Sequence, residues 1–107
     1  MNHQILQIVC DHYHISLCDI KRRSRKPRYV QPRFVACYLL HKYAEMNYRQ
    51  IVELLYPYLD PSTNHATPIH AQKAIEACLS LQDWIYRDVQ IVEGKVQRLI
   101  YQLKKAS

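Results

Sequence analysis

With 107 residues, the chain has room for one domain around one core. At 49% hydrophobic and 22% charged it has the composition of a folded chain, which excludes a disordered one. A formal net charge of +6 and a pI near 9.3 point to an anionic partner, with nucleic acid ahead of a membrane surface.

Residues Gln4 to His14 carry Ile5, Leu6, Ile8, Val9 and Tyr13 in a helical stripe. Ser16 then reads as the N-cap of a short helix, Leu17 to Lys21. The run from Lys21 to Arg33 follows. It holds seven of the fifteen Lys and Arg residues and no acid. Its two prolines, Pro27 and Pro32, predict an extended loop over most of its length, because proline lacks an N–H and clashes with the preceding turn. Pro32 is expected in the first turn of the next helix, which carries Phe34, Val35, Cys37, Tyr38, Leu39, Leu40 and Tyr43 to about Met46. Its broad apolar face predicts a central helix.

Asn47 is the expected N-cap of a helix over Tyr48 to Leu55. A loop rich in turn formers, Tyr56 to Asn64, separates it from a helix running from about His65 to Leu81. Pro68 fits that helix only within its first turn. Finally Ile85, Val89, Val92, Val96, Leu99 and Leu103 are spaced alternately four and three apart, forming one seam. That seam packs on the bundle or pairs two copies in a homodimer. No run alternates with period two. The expected fold is therefore all-α: a compact bundle of five to six helices, one domain over residues 1–107, with a core over 4–81 and a C-terminal helix over 84–105.

The single glycine, Gly94, excludes a P-loop and a dinucleotide fingerprint, so no nucleotide is expected. Cys10, Cys18, Cys37 and Cys78 form no CxxC and lie beside apolar residues, as expected of reduced core thiols in a cytoplasmic protein. No stretch is long and apolar enough for a membrane span, and the start lacks the pattern of a signal peptide. The histidines and cysteines lack the paired spacing of zinc ligands, and no nucleophile, base and acid stand in a recognisable order. Neither a metal, nor a cofactor, nor an enzymatic activity is expected.

A short helix, a connection and a second helix with a polar start make a helix-turn-helix pattern of the Trp-repressor kind. In that motif the second helix enters the major groove of double-stranded DNA and its first residues touch base edges. Here those residues are Asn64, His65, Ala66 and Thr67. Asparagine can bond the adenine edge twice, and alanine and the threonine methyl suit the thymine methyl. His70 and Lys73 lie further along and are placed to reach phosphates. The cations of the basic run, Arg22, Arg23, Arg25, Lys26 and Arg28, suit the phosphate backbone or a narrow minor groove.

Three stretches together resemble the C-terminal DNA-binding domain of bacterial DnaA, the chromosomal replication initiator. Val9 to Ile20 is similar to the opening helix of that family and the segment after it. Arg22-Arg-Ser-Arg25 with Pro32-Arg33, Ala36 and Leu39-Leu40 is similar to its basic loop and long helix. Asn64-His-Ala-Thr-Pro-Ile-His-Ala71 is similar to its recognition helix. The resemblance implies a minor-groove role for Arg25. It implies backbone contacts for Pro32, Arg33, Tyr48, Arg49 and His70, and base reading for His65, Ala66 and Thr67. The chain departs from the family pattern at Asn64 (an acid in the family), Ala66 (a threonine), Pro68 (a valine) and the long turn over Tyr56 to Thr63. The function expected is sequence-preferring binding of double-stranded DNA. The alternative is a protein-interaction or regulatory module in which these departures have altered or removed DNA specificity.

Overall fold

A computed structural model describes residues 1–64, 66–81 and 85–106. Six helices follow one another: α1 (Asn2–Tyr13), α2 (Leu17–Ile20), α3 (Pro27–Tyr43), α4 (Tyr48–Leu55), α5 (Ala66–Leu81) and α6 (Tyr86–Ala106). No strand occurs among the described residues. The Cα radius of gyration is 13.3 Å, close to the ~13 Å of a compact domain of this length.

Local chemistry sets most of the helix boundaries. The Ser16 side chain accepts from the Asp19 N–H and starts α2. Asn47 and Gln50 form a reciprocal capping box that starts α4: Asn47 Oδ1 accepts from the Gln50 N–H at 2.8 Å, and Gln50 Oε1 from the Asn47 N–H at 2.9 Å. Helix α1 ends in a Schellman turn built on a histidine. His14 takes φ 56°, its N–H bonds Asp11 O, and the Ile15 N–H bonds Cys10 O. Glu45 takes φ 55° after α3. Both left-handed positions are therefore filled without glycine, while Gly94 lies inside α6.

The third helix differs from the sequence expectation. It begins at Pro27, not Pro32, so the extended part of the basic run shrinks to residues 22–26 and Arg28 and Arg33 ride on a helix. Pro27 sits at the helix start, where no N–H is needed. Pro32 falls in the interior and is buried. In the turn before it, the Tyr29 carbonyl accepts from Arg33 Nε at 3.1 Å.

Helix α3 is the hub. Val35, Ala36, Cys37, Leu39 and Leu40 on it are at most 1% exposed, and α1, α2, α4, α5 and α6 all pack against it. Ile51, Val52 and Leu55 of α4 and Ala71 and Ile75 of α5 complete that side of the core. Burying each large aliphatic contributes roughly 1.5–3 kcal/mol. Pro68 is the third residue of α5, inside the first turn as expected.

The C-terminal seam packs on the bundle. Ile85, Val89, Val92 and Val96 join the same core cluster, so the core extends past residue 81. Trp84, the expected start of this helix, lies outside the described residues. Polar contacts fix the register of α6: Asp88 meets His12 Nε2 at 3.1 Å, and Glu93 takes Lys42 Nζ at 2.8 Å and the Tyr43 hydroxyl at 2.9 Å. Beyond Val96 the seam leaves the core, and Leu103 is 39% exposed. Of the four cysteines, none in a disulfide among the described residues, Cys10 and Cys37 are buried and Cys78 is half-buried. Cys18 is exposed, against expectation, because one turn of α2 turns Ile20 inward and Cys18 outward.

Candidate nucleic-acid interface

The basic loop and the start of α5 both line an open groove of about 800 Å³. Arg25 lines it together with Ala66, Thr67 and His70, and Phe34, Tyr56 and Tyr58 contribute to its wall. Residues separated by some forty positions in sequence thus share one concavity. Arg25 is exposed and has no hydrogen bond or ion pair among the described residues, so its charge is available. His70 is exposed and meets the Phe34 ring edge-on, with centroids 6.2 Å apart.

Around this groove the arginines stand on tyrosine faces. Arg22 and Arg28 both lie over Tyr29, at 5.5 and 5.6 Å from its centroid. Arg23 lies over Tyr58 at 5.4 Å, and Arg33 over Tyr56 at 5.6 Å. Such contacts stiffen long cationic side chains without neutralising them. Among the described residues, only Arg22 of these four also has an acid, Asp19, at 3.2 Å. Lys26 is exposed and precedes α3 as its N-cap. Sequence reasoning passed over Tyr29, Tyr56 and Tyr58; the signal was nine tyrosines in a chain with one phenylalanine and one tryptophan.

Two expected backbone-contact residues are placed otherwise. Pro32 is buried, and Arg33 is only 3% exposed. The Arg33 guanidinium is spent inside the protein: Nη2 donates to Ser24 O, Nε to Tyr29 O, and Nη1 to the Tyr58 hydroxyl at 2.9 Å. The helix begins five residues earlier than expected, so Arg33 faces the core side of α3 rather than standing at its exposed start. Arg33 joins the basic loop, α3 and the turn between α4 and α5.

Tyr48, Arg49, Lys73 and Asn64 do not line this groove. Tyr48 is half-buried, stacked on His41 with centroids 4.5 Å apart, and its hydroxyl donates to Gln72 Oε1 of α5 at 3.3 Å. It ties α4 to both neighbours. Arg49 is exposed, 3.7 Å from Glu53. Lys73 is exposed on α5. Asn64 is half-buried, and its amide donates to Asp60 O at 2.9 Å and to Thr63 Oγ1 at 3.1 Å. His65 lies outside the described residues.

The turn that positions Asn64 is organised by Asp60. Its carboxylate accepts from the Ser62 hydroxyl at 2.8 Å and the Ser62 N–H at 3.0 Å, and these bonds hold it below the usual carboxylate range. Its carbonyl accepts from the Thr63 and Asn64 N–H groups. The longer turn is therefore a hydrogen-bonded unit that delivers the chain to α5.

The family model described as the bacterial DnaA protein helix-turn-helix matches residues 2–75, from α1 into α5. The chain belongs to this DnaA helix-turn-helix family. Membership supports DNA binding as its class of function. Among similar proteins are the chromosomal replication initiator protein DnaA of Bacteroides thetaiotaomicron, 29% identical over 94 residues, and that of Desulfatibacillum aliphaticivorans, 29% identical over 93 residues. These alignments cover 88% and 87% of this chain and 19% of each relative. The DnaA of Zymomonas mobilis is 30% identical over 84 residues, which is 78% of this chain and 16% of the relative. The chain thus spans about a fifth of the length of the curated relatives it matches. No solved structure matches it. Among the described residues, no helix is long and apolar enough to cross a membrane.

Proposed function

We propose that this chain binds double-stranded DNA with a sequence preference and performs no chemical step. In this reading the start of α5 enters the major groove, where Ala66 and Thr67 meet base edges and His70 and Lys73 meet phosphates. Arg25 reaches the adjoining minor groove, whose negative potential draws arginine. The observation that carries the reading is the shared groove between Arg25 and the Ala66–Thr67–His70 face. A role in initiating chromosome replication belongs to the same proposal, taken from the name of the relatives. Neither a nucleotide nor a second copy of the chain is required for this binding.

An electrophoretic shift assay on a DnaA-box duplex against a scrambled duplex tests the proposal. The expected result is preference for the box, falling steeply with salt. Arg25→Ala and Lys73→Ala should each weaken binding roughly tenfold and lower the salt slope by about 1. Equal or salt-insensitive binding to the two duplexes would contradict it.

A further inference from the structure

Tyr58 lies in the turn between α4 and α5, yet its two polar partners come from α3 and the basic loop. Its hydroxyl accepts from Arg33 Nη1 at 2.9 Å, and its ring face carries the Arg23 guanidinium at 5.4 Å. Arg33, buried at 3% exposure, passes the connection on by donating to Ser24 O, the residue before Arg25. The same ring, with Leu59, closes a second concavity against Arg23, Ser24 and Arg25. Tyr58 therefore holds the loop at two consecutive residues, directly at 23 and through Arg33 at 24, and shares a concavity with Arg25.

We propose that Tyr58 is a positioning residue for DNA binding: it locks the basic loop to the turn before α5 and so fixes Arg25 in the groove it shares with Ala66, Thr67 and His70. The proposal rests on the DNA-binding reading above. Without Tyr58, residues 22–26 keep the Asp19–Arg22 pair at 3.2 Å and the stacking of Arg22 on Tyr29, both at the α2 end of the loop, and the Arg33–Ser24 bond, whose guanidinium has then lost its Tyr58 partner. The loop is held less firmly around Arg25. A loop whose backbone is already held loses less backbone entropy when its arginine enters a groove. Tyr58 thus contributes to affinity without needing to touch DNA.

The test is a double-mutant cycle on the full chain, read by fluorescence anisotropy with the DnaA-box duplex and, where that duplex is not bound, the duplex recovered from a random pool. Tyr58→Ala should weaken binding roughly tenfold, and Tyr58→Phe, which keeps the ring under Arg23, by less. In an Arg25→Ala background, Tyr58→Ala should cost little more, because the residue it positions is gone. Equal losses in both backgrounds would show a general structural effect and overturn the proposal, as would wild-type affinity in Tyr58→Ala. A second readout does not depend on DNA: amide hydrogen exchange over residues 22–26 of the free protein should speed up in Tyr58→Ala while α1 and α6 stay protected. Unchanged exchange there overturns the proposal even where binding falls. If the wild-type chain binds no duplex, the DNA-binding reading fails on its own and the exchange result still decides whether Tyr58 holds the loop.

Discussion

At the scale of single residues, the Arg33 guanidinium is surrounded by the Ser24 and Tyr29 carbonyls, the Tyr58 hydroxyl and the face of Tyr56, with no carboxylate paired to it among the described residues. A buried charge is costly unless hydrogen-bonded, and three oxygens with an aromatic face meet that need here. Truncation would remove the donors and leave a cavity. Arg33→Ala should therefore destabilise the fold by about 2–4 kcal/mol, measured as a lower urea midpoint at unchanged slope. Arg33 thus serves the interface from inside, whereas Arg25, eight residues earlier, is open to solvent. The cation count of the basic run was legible in the sequence, but the division of labour within it was not. It depends on a hydroxyl supplied from position 58, twenty-five residues away, which no local pattern encodes.

At the scale of elements, helix starts with a local chemical cause were legible. Ser16 and Asn47 read as caps because their side-chain oxygens bond N–H groups three residues on. The seam of α6 was legible from its four-and-three spacing. The start of α3 was not, because Pro27 and Pro32 are each compatible with a first turn, and tertiary packing chose between them by burying Pro32. The bounds of α5 were legible to within a residue or two, but the bond from the Asn64 amide to the Asp60 carbonyl of its own turn was not. Glycine usage gives a prediction at this scale. A methyl group at Gly94 would meet nothing within 4 Å, so Gly94→Ala should raise stability by about 1 kcal/mol. His14 occupies a left-handed position, where His14→Gly should also be stabilising, by up to about 1 kcal/mol. Thermal unfolding of the two variants should show raised midpoints, and a lowered midpoint in either would refute the corresponding assignment.

At the scale of the whole molecule, one core joins α5, the long central helix and the C-terminal helix, so the candidate interface stands on a single packed unit. That core also sets an alkaline limit. Burial pushes the Cys10 thiol up to about 11 and the Cys37 thiol up to about 12, from an ordinary 9.0. Burial likewise raises Tyr13 and Tyr56 above the usual phenol range. These groups hold their protons more tightly folded than unfolded, so the unfolded state loses protons first as pH rises. Their contribution is fully present below about pH 9 and declines above it. Unfolding free energy from urea titration should be level from neutrality to about pH 9 and then fall, and a rise above pH 9 would contradict these burial assignments. Alkylation at neutral pH should label exposed Cys18 ahead of Cys10 and Cys37.

The same architecture makes the DNA reading a claim about one surface. In the proposed reading grip comes from the basic loop, and choice of sequence from the entry to α5, where Asn64, Ala66 and Pro68 set this chain apart from the family pattern. Selection of bound duplexes from a random pool by the wild-type chain tests that claim most directly. Successive rounds should converge on one consensus, bound more tightly than the starting pool at the same salt. A recovered pool as random as the input would contradict it.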